Sequence, residues 1–402
     1  MSKIELLSPA GDFESLKMAV LFGADAVYIG STMFGMRASP KNFSDIELPA
    51  AVEFAHSHGC KVYLTCNTIP TNSEVDSFPS FIQAVDTAGV DAVIIADLGL
   101  MELTKLHAPR LDIHMSTQVG VMNYANAEAL YNLGAKRIVL ARELSLEAIK
   151  QIRLKIPREL ELEAFVHGAM CVSFSGRCLL SNYLTNRDAN RGECAQPCRW
   201  NYSLMEETRP GEYFKVFESE QGSFILNSKD LCMVEHLDKM ADAGINSFKI
   251  EGRAKSAYYT GVITNAYRAA LNCLETSGGT LDWITKEVNA VSHREYSTGF
   301  YFNERGQQSL MNGGYIRDYD FVGLVDESRG EELFITQRNY FKLTDEIEIV
   351  SPMSAPVKIK IRKMLNSKGI ETKVANIARE KMVLFLEEVA TFPQNSLIRK
   401  LN

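Results

Sequence analysis

The chain has 402 residues, 46% of them hydrophobic, with 43 Lys and Arg against 50 Asp and Glu and a net charge of −7. That size supports a sizeable core split between a large and a small domain. The acidic balance excludes wholesale coating of nucleic acid, which Lys and Arg drive by releasing counterions from phosphates.

The first residues, MSKIELLSPAGD, form no apolar run of signal-peptide length, and no later stretch nears the ~18 apolar residues of a membrane span. The expectation is a cytoplasmic protein with no membrane partner. From residue 4 to about 275 one unit recurs, a short apolar strand followed by an amphipathic helix. The predicted strands are Ile4 to Ser8, Ala26 to Gly30, Lys61 to Cys66, Ala92 to Ala96, Asp112 to Ser116, Arg137 to Ala141, Glu161 to Val166 and Ser247 to Ile250. Helices are predicted over Glu14 to Phe22, Leu48 to His58, Ala125 to Leu133, Leu146 to Ile156 and Leu231 to Ala243, and several end at Gly. Strands that are nearly all Val, Ile, Leu and Ala are buried on both faces, as in a parallel sheet wrapped by helices. Eight such units predict an α/β fold, a (β/α)8 TIM-like barrel; a doubly wound open sheet is second, and no GxGxxG follows the first strand to favour it.

Such barrels place their chemistry where the strands end. The residues predicted at that mouth are Gly11, Asn67, Asp97, Gln118, Arg142, Glu143, His167 and Glu251 with Arg253. Any one of them could be a loop cap; nine at equivalent positions point to a site. Of these, His167, Glu251, Arg253 and Arg142 are the candidate catalytic and substrate-holding groups. Glu251 and Arg253 could pair with each other or grip an anion through the Arg fork. After the seventh strand about 65 residues intervene before the next helix, far more than a usual loop. This insertion, 167–230, carries strand-like pieces between Asn201 and Leu226.

The expected domains are the barrel over 1–278, a connector over 279–319 and a small β-barrel over 320–402. Within the last, VKIKIRK alternates, so one strand would put Lys358, Lys360 and Arg362 on a single face. That basic face is either a solvated surface or a nucleic-acid contact.

Four of the eight cysteines fall in the insertion, at Cys171, Cys178, Cys194 and Cys198, spaced C-x6-C-x15-C-x3-C. Thiolates bind zinc or an iron-sulfur cluster. Structural zinc prefers two close pairs, and here only Cys194 and Cys198 are close; a [4Fe-4S] cluster tolerates irregular spacing because each ligand addresses a different iron. Cys232 could replace Cys198 as fourth ligand. Cys60, Cys66 and Cys273 read as small packed hydrophobes.

The stretch EAFVHGAMCVSFSGRCLLS resembles the signature of the collagenase-like peptidase family, and LLSPAG, GADAVYIG, ARELS, NSKDL and KIEGRAKSAYY resemble its other characteristic segments. Within that family, RDANRGECAQPCRW is most similar to the branch of tRNA hydroxylation proteins. The resemblance implies a tRNA-modifying enzyme that converts the wobble uridine to 5-hydroxyuridine without molecular oxygen, with prephenate as hydroxyl donor and a cluster on Cys171, Cys178, Cys194 and Cys198. A peptidase, as the family name implies, is the second expectation, though the sequence has no HExxH and no GxSxG. The third is an RNA-binding module with a structural metal site.

Overall fold

In the computed structural model, which describes residues 3–402 apart from 36–41, 172, 174–177, 190–191, 201–202, 205–213, 216–227, 277–281 and 304–314, all eight predicted strands form. They are β1 (Glu5–Pro9), β2 (Ala26–Gly30), β3 (Lys61–Cys66), β4 (Ala92–Ile95), β5 (Asp112–Met115), β6 (Arg137–Val139), β7 (Glu161–Ala169) and β8 (Ser247–Ile250). Each pairs in parallel with the next in the chain, and β8 pairs with both β7 and β1, which closes the ring. Short polar caps start several helices: Asp12 accepts from Ser15 N at 2.8 Å and Asp97 from Leu100 N at 3.0 Å. Among the described residues no helix is long and apolar enough to cross a membrane.

Register decides which residues fill the barrel. Following the paired positions round the ring puts Glu5 and Leu7, Ala26 and Tyr28, Tyr63, Ala92 and Ile94, His114, Arg137, Glu163 and Phe165, and Ser247 and Lys249 on one face. Leu7, Ala26, Tyr28, Tyr63, Ala92 and Ile94 form an apolar cluster of their own, separate from the larger core between strands and helices. Towards the strands' amino ends the interior is charged. Arg137 contacts Glu5 at 2.5 Å, Glu161 at 2.6 Å and Glu163 at 3.1 Å, and Lys249 contacts Glu163 at 2.7 Å. Burial pushes the Glu5 carboxyl up, but Arg137 and the hydroxyls of Tyr63 and Ser247 outweigh it and hold the group below the usual carboxylate range.

The C-terminal unit is an antiparallel eight-stranded sheet with its own core around Val322, Ile335, Phe341, Ile349 and Leu384. VKIKIRK is not one strand, as the alternation predicts, but two: Val357–Ile359 and Ile361–Leu365, broken at Lys360. The first pairs with Ile347–Val350 and the second with Lys381–Leu386, near opposite ends of the strand order. Two halves of one segment at both ends of the order curl the sheet towards a barrel.

This unit is fastened to the first. Arg399, with 3% of its side chain exposed, contacts Glu287 of the Asp282–Asn289 helix at 2.9 Å and Glu348 at 2.7 Å. Tyr258 stacks on Phe321 with centroids 5.3 Å apart.

At three places the structure adds to or departs from the local expectations. The stretch from Leu231 is not helical at its start: Asp230–Cys232 is a strand antiparallel to the end of β7, and the helix there is only Leu237–Asp242. The stretch read as a connector packs on the barrel, where Tyr296–Ser297 pairs with Asp230–Cys232 and the Tyr301 hydroxyl donates to Phe165 O at 2.6 Å. Of the strand-like pieces expected between Asn201 and Leu226, Ser203–Leu204 pairs with Phe214–Lys215, and the remainder lies outside the described residues.

Candidate functional site

β7 runs three residues beyond its predicted end, so His167 lies on the strand rather than past it. The β7–β8 register shifts between Lys249 and Ile250, opposite His167, and the next residue, Gly168, has φ +108; a Cβ there would strike Glu251 O. The bulge turns His167 towards the Ala257–Thr276 helix. Its ring is 1% exposed and enclosed by Tyr259, Tyr267 and Tyr296, with centroids 6.0, 5.4 and 5.3 Å away. Burial, reinforced by His293 and Lys255, pushes its pKa down to about 3. A neutral imidazole holds no anion by charge, and the ring nitrogens of His167 meet the Tyr267 and Tyr296 hydroxyls at 3.3 and 3.5 Å.

Arg253 lies across the carboxyl ends of β2 and β3, on the mouth side of the barrel. It is 8% exposed and donates to the Thr65 hydroxyl, and its guanidinium lies against Gly30, where any Cβ would collide with it. Glu251 faces Arg142 at 3.8 Å and the Tyr28 hydroxyl at 3.4 Å. The Arg142 guanidinium donates to Ala169 O at 2.9 Å and lies 3.9 Å from the Phe165 ring centroid. Its Nε and the Gln118 Nε2 are buried with no acceptor. Asp97 is a helix cap, the plain alternative to a site residue.

The cysteine segment adjoins this corner. Desolvation raises the Cys171 thiol above its ordinary range, Cys178 and Cys194 raise it further, and a Ser173 backbone N–H and the Arg142 charge pull it down. Cys171 is therefore within electrostatic reach of two other thiols and of the mouth. The Leu180–Thr185 helix buttresses the later pair: Ser181 Oγ accepts from Ala195 N at 3.0 Å, and Cys194 Sγ accepts from Gln196 N at 3.3 Å. All eight cysteines are free thiols. As placed, no three His, Cys, Asp or Glu side chains among the described residues form a metal-holding group. The segment matches a cluster in donor kind and number, but not in the present placement of its sulfurs.

Cys232 has other company. It faces the Tyr267 hydroxyl at 3.9 Å, and burial above all pushes its thiol up to about 11. Lys358 and Arg362 are exposed and lie against Glu346 at 3.6 Å and Glu331 at 2.9 Å; Lys360 is exposed between them. Exposed pairs of this kind are worth about 0–1 kcal/mol and exchange readily for phosphates.

One mouth residue was not anticipated. Lys255, in the loop after β8, is half-buried with its ammonium between two rings, 5.4 Å from the Tyr259 centroid and 4.9 Å from the Tyr315 centroid. KIEGRAKS offers Arg253 and Lys255 with equal force, and only the turn closed by Lys255 N on Gly252 O separates them.

The family model described as Peptidase family U32 matches residues 11–311, and that of the Peptidase family U32 C-terminal domain matches residues 317–399. Over 358 residues the chain is 38% identical to tRNA hydroxylation protein P1 of Bacillus subtilis, covering 87% of this chain and 84% of that protein. It is 33% identical over 412 residues to tRNA hydroxylation protein P of Escherichia coli, covering 92% and 90%. A collagenase of Porphyromonas gingivalis is 32% identical over 389 residues, covering 90% of each.

Proposed function

The chain belongs to peptidase family U32, and from that premise we propose that it is an RNA-modifying enzyme that hydroxylates the wobble uridine of tRNA to 5-hydroxyuridine, with prephenate as hydroxyl donor. The observation that carries the reading is similarity along most of the chain to two tRNA hydroxylation proteins. The placement of a four-cysteine segment beside the barrel mouth supports it.

Cys171, Cys178, Cys194 and Cys198 would hold a [4Fe-4S] cluster, which requires their sulfurs to draw together from the placement described above. Hydroxylating a pyrimidine ring demands redox chemistry that no side chain supplies, and a bound cluster supplies electron transfer or a Lewis-acidic iron. The chain's own groups do the rest. Arg142 holds positive charge between Cys171 and Glu251, and Glu251 offers a carboxylate at the mouth. His167 is kept neutral near the end of β7. A wobble base is unstacked in its loop and can be turned into such a mouth.

Lys358, Lys360 and Arg362 are assigned to tRNA phosphates. Reversing all three to Glu is expected to weaken tRNA binding and lower the slope of log K against log salt by roughly 0.7–0.9 per lost contact. Fluorescence anisotropy at several salt concentrations measures this, and an unchanged slope removes the assignment.

Likeness to a collagenase favours a second reading, proteolysis. Mass spectrometry of tRNA nucleosides with and without the gene, alongside peptide digestion by the purified protein before and after chelation, separates the two. Unchanged 5-hydroxyuridine on deletion overturns the hydroxylase reading, and chelation-sensitive peptide cleavage replaces it with the second.

A further inference from the structure

The outer face of the C-terminal sheet falls into two halves. On one, Phe321, Arg399 and Glu348 stand in register, and Phe321 and Arg399 meet Tyr258 and Glu287 of the first unit. The other, formed by Tyr319–Arg329, Glu332–Gln337, Lys381–Leu386 and Ile361–Leu365, opens on a hollow of about 470 Å³. Leu333, Ile335, Met382, Leu384 and Met364 point into the core, so alternation turns the residues between them outward. The wet face of such a sheet is ordinarily polar. Here the register sets Phe334 beside Val383 and Val383 beside Leu365, with Phe385 diagonal to Phe334, and all four are half-buried.

Each ring has a cation over it. The Arg329 guanidinium lies 5.1 Å from the Phe334 centroid, and Lys363 Nζ lies 5.6 Å from that of Phe385. Both cations are in exposed ion pairs, Arg329 with Glu327 at 2.7 Å and Lys363 with Glu371 at 3.5 Å. An exposed pair contributes little, and a cation over an exposed ring is held more weakly than a stacked base. Two aromatic faces on the open side of a sheet, edged by Arg and Lys, suit unstacked bases and the phosphates between them. The face also continues a surface already assigned to RNA, because Arg362 precedes Lys363 in the same strand.

We propose that this face binds an unpaired stretch of RNA, with one base stacked on Phe334 and one on Phe385, and with Arg329 and Lys363 exchanging their carboxylates for phosphates. The inference rests on the substrate being RNA, as in the reading above, but neither on the reaction nor on the barrel mouth.

Phe334→Leu and Phe385→Leu keep apolar bulk and remove the ring. Full-length protein is titrated by fluorescence anisotropy with an anticodon stem-loop RNA and with a blunt RNA duplex, each over a salt series. Either variant is expected to bind the stem-loop about 5-fold or more weakly, the lower end of what a stacked base contributes, with the duplex affinity, the salt slope and thermal unfolding unchanged. Lys363→Gln is expected to lower the slope as well. Phe334→Trp should keep the affinity and add indole emission that the stem-loop quenches, beyond any change in the two native tryptophans of the wild type. Equal stem-loop affinities of wild type and both Leu variants overturn the proposal, as do no binding by wild type and no quenching of the added indole. A wild-type dimer in sedimentation that dissociates in the Leu variants gives the face to a second copy instead. Ring-dependent affinity with unchanged 5-hydroxyuridine in the deletion strain overturns the reaction and leaves this face standing. Loss of 5-hydroxyuridine on deletion with ring-independent affinity does the reverse.

Discussion

Glu163→Gln is expected to destabilise the protein by about 3–5 kcal/mol, the cost of removing one partner from a buried ion pair. Glu163 is wholly buried and accepts from Lys249 Nζ at 2.7 Å and Arg137 Nη1 at 3.1 Å. Arg137 loses little, because Glu5 and Glu161 remain. Lys249 loses its only carboxylate among the described residues and is left 5% exposed between the Tyr28 and Phe165 rings, 4.5 and 5.5 Å from their centroids. The charge, not the shape, carries the penalty. Lys249→Met in the same background should therefore recover most of the loss, since a neutral amide beside a thioether strands no ion. Urea unfolding of the two single variants and the double variant gives the coupling. A Glu163→Gln protein within about 0.5 kcal/mol of wild type, the range of an innocuous surface change, would show that the network is not what holds the interior together.

That network also shows where reading the sequence stops. All eight barrel strands are visible because their outward faces and most of their inward faces are apolar, so each reads as a continuous run. The interior charges are invisible for the same reason. Glu5, Arg137 and Lys249 look like the polar flanks of strands, and only the register places them inside. His167 is a different case. Its address at the end of β7 is right, but the bulge that turns it away depends on a shift against β8, and Gly168 is the only local sign of it. In VKIKIRK the alternation of exposed Lys and Arg with less exposed Ile holds, whereas continuity does not, because long-range pairing assigns the two halves to different neighbours. Asp230–Cys232 became a strand because the extension of β7 offered it an edge, something no local propensity encodes.

Loss of any one of Cys171, Cys178, Cys194 or Cys198 is expected to strip most of the iron and acid-labile sulfide from anaerobically purified protein, while Cys232→Ala leaves both in place. Burial raises both thiols, and their charged neighbours differ. Cys171 feels Cys178, Cys194 and the Arg142 charge, whereas Cys232 faces a tyrosine hydroxyl and the Glu235 carboxylate, which works against a thiolate. Ligands must be deprotonated to bind metal, so a cation beside Cys171 favours ligation and an anion beside Cys232 opposes it. Because changes to outer-shell groups alone typically cost 10–100-fold in metal affinity or activity, removing a ligand should lower hydroxylation more than about 100-fold. Arg142→Ala, which leaves every thiol in place, should fall within that outer-shell range and retain part of the iron. Iron and sulfide analysis reads both sets independently of turnover. Zinc in place of iron would turn the segment into a structural metal site, and full iron content after loss of Cys171 together with depletion on Cys232→Ala would move the ligand set to the barrel wall.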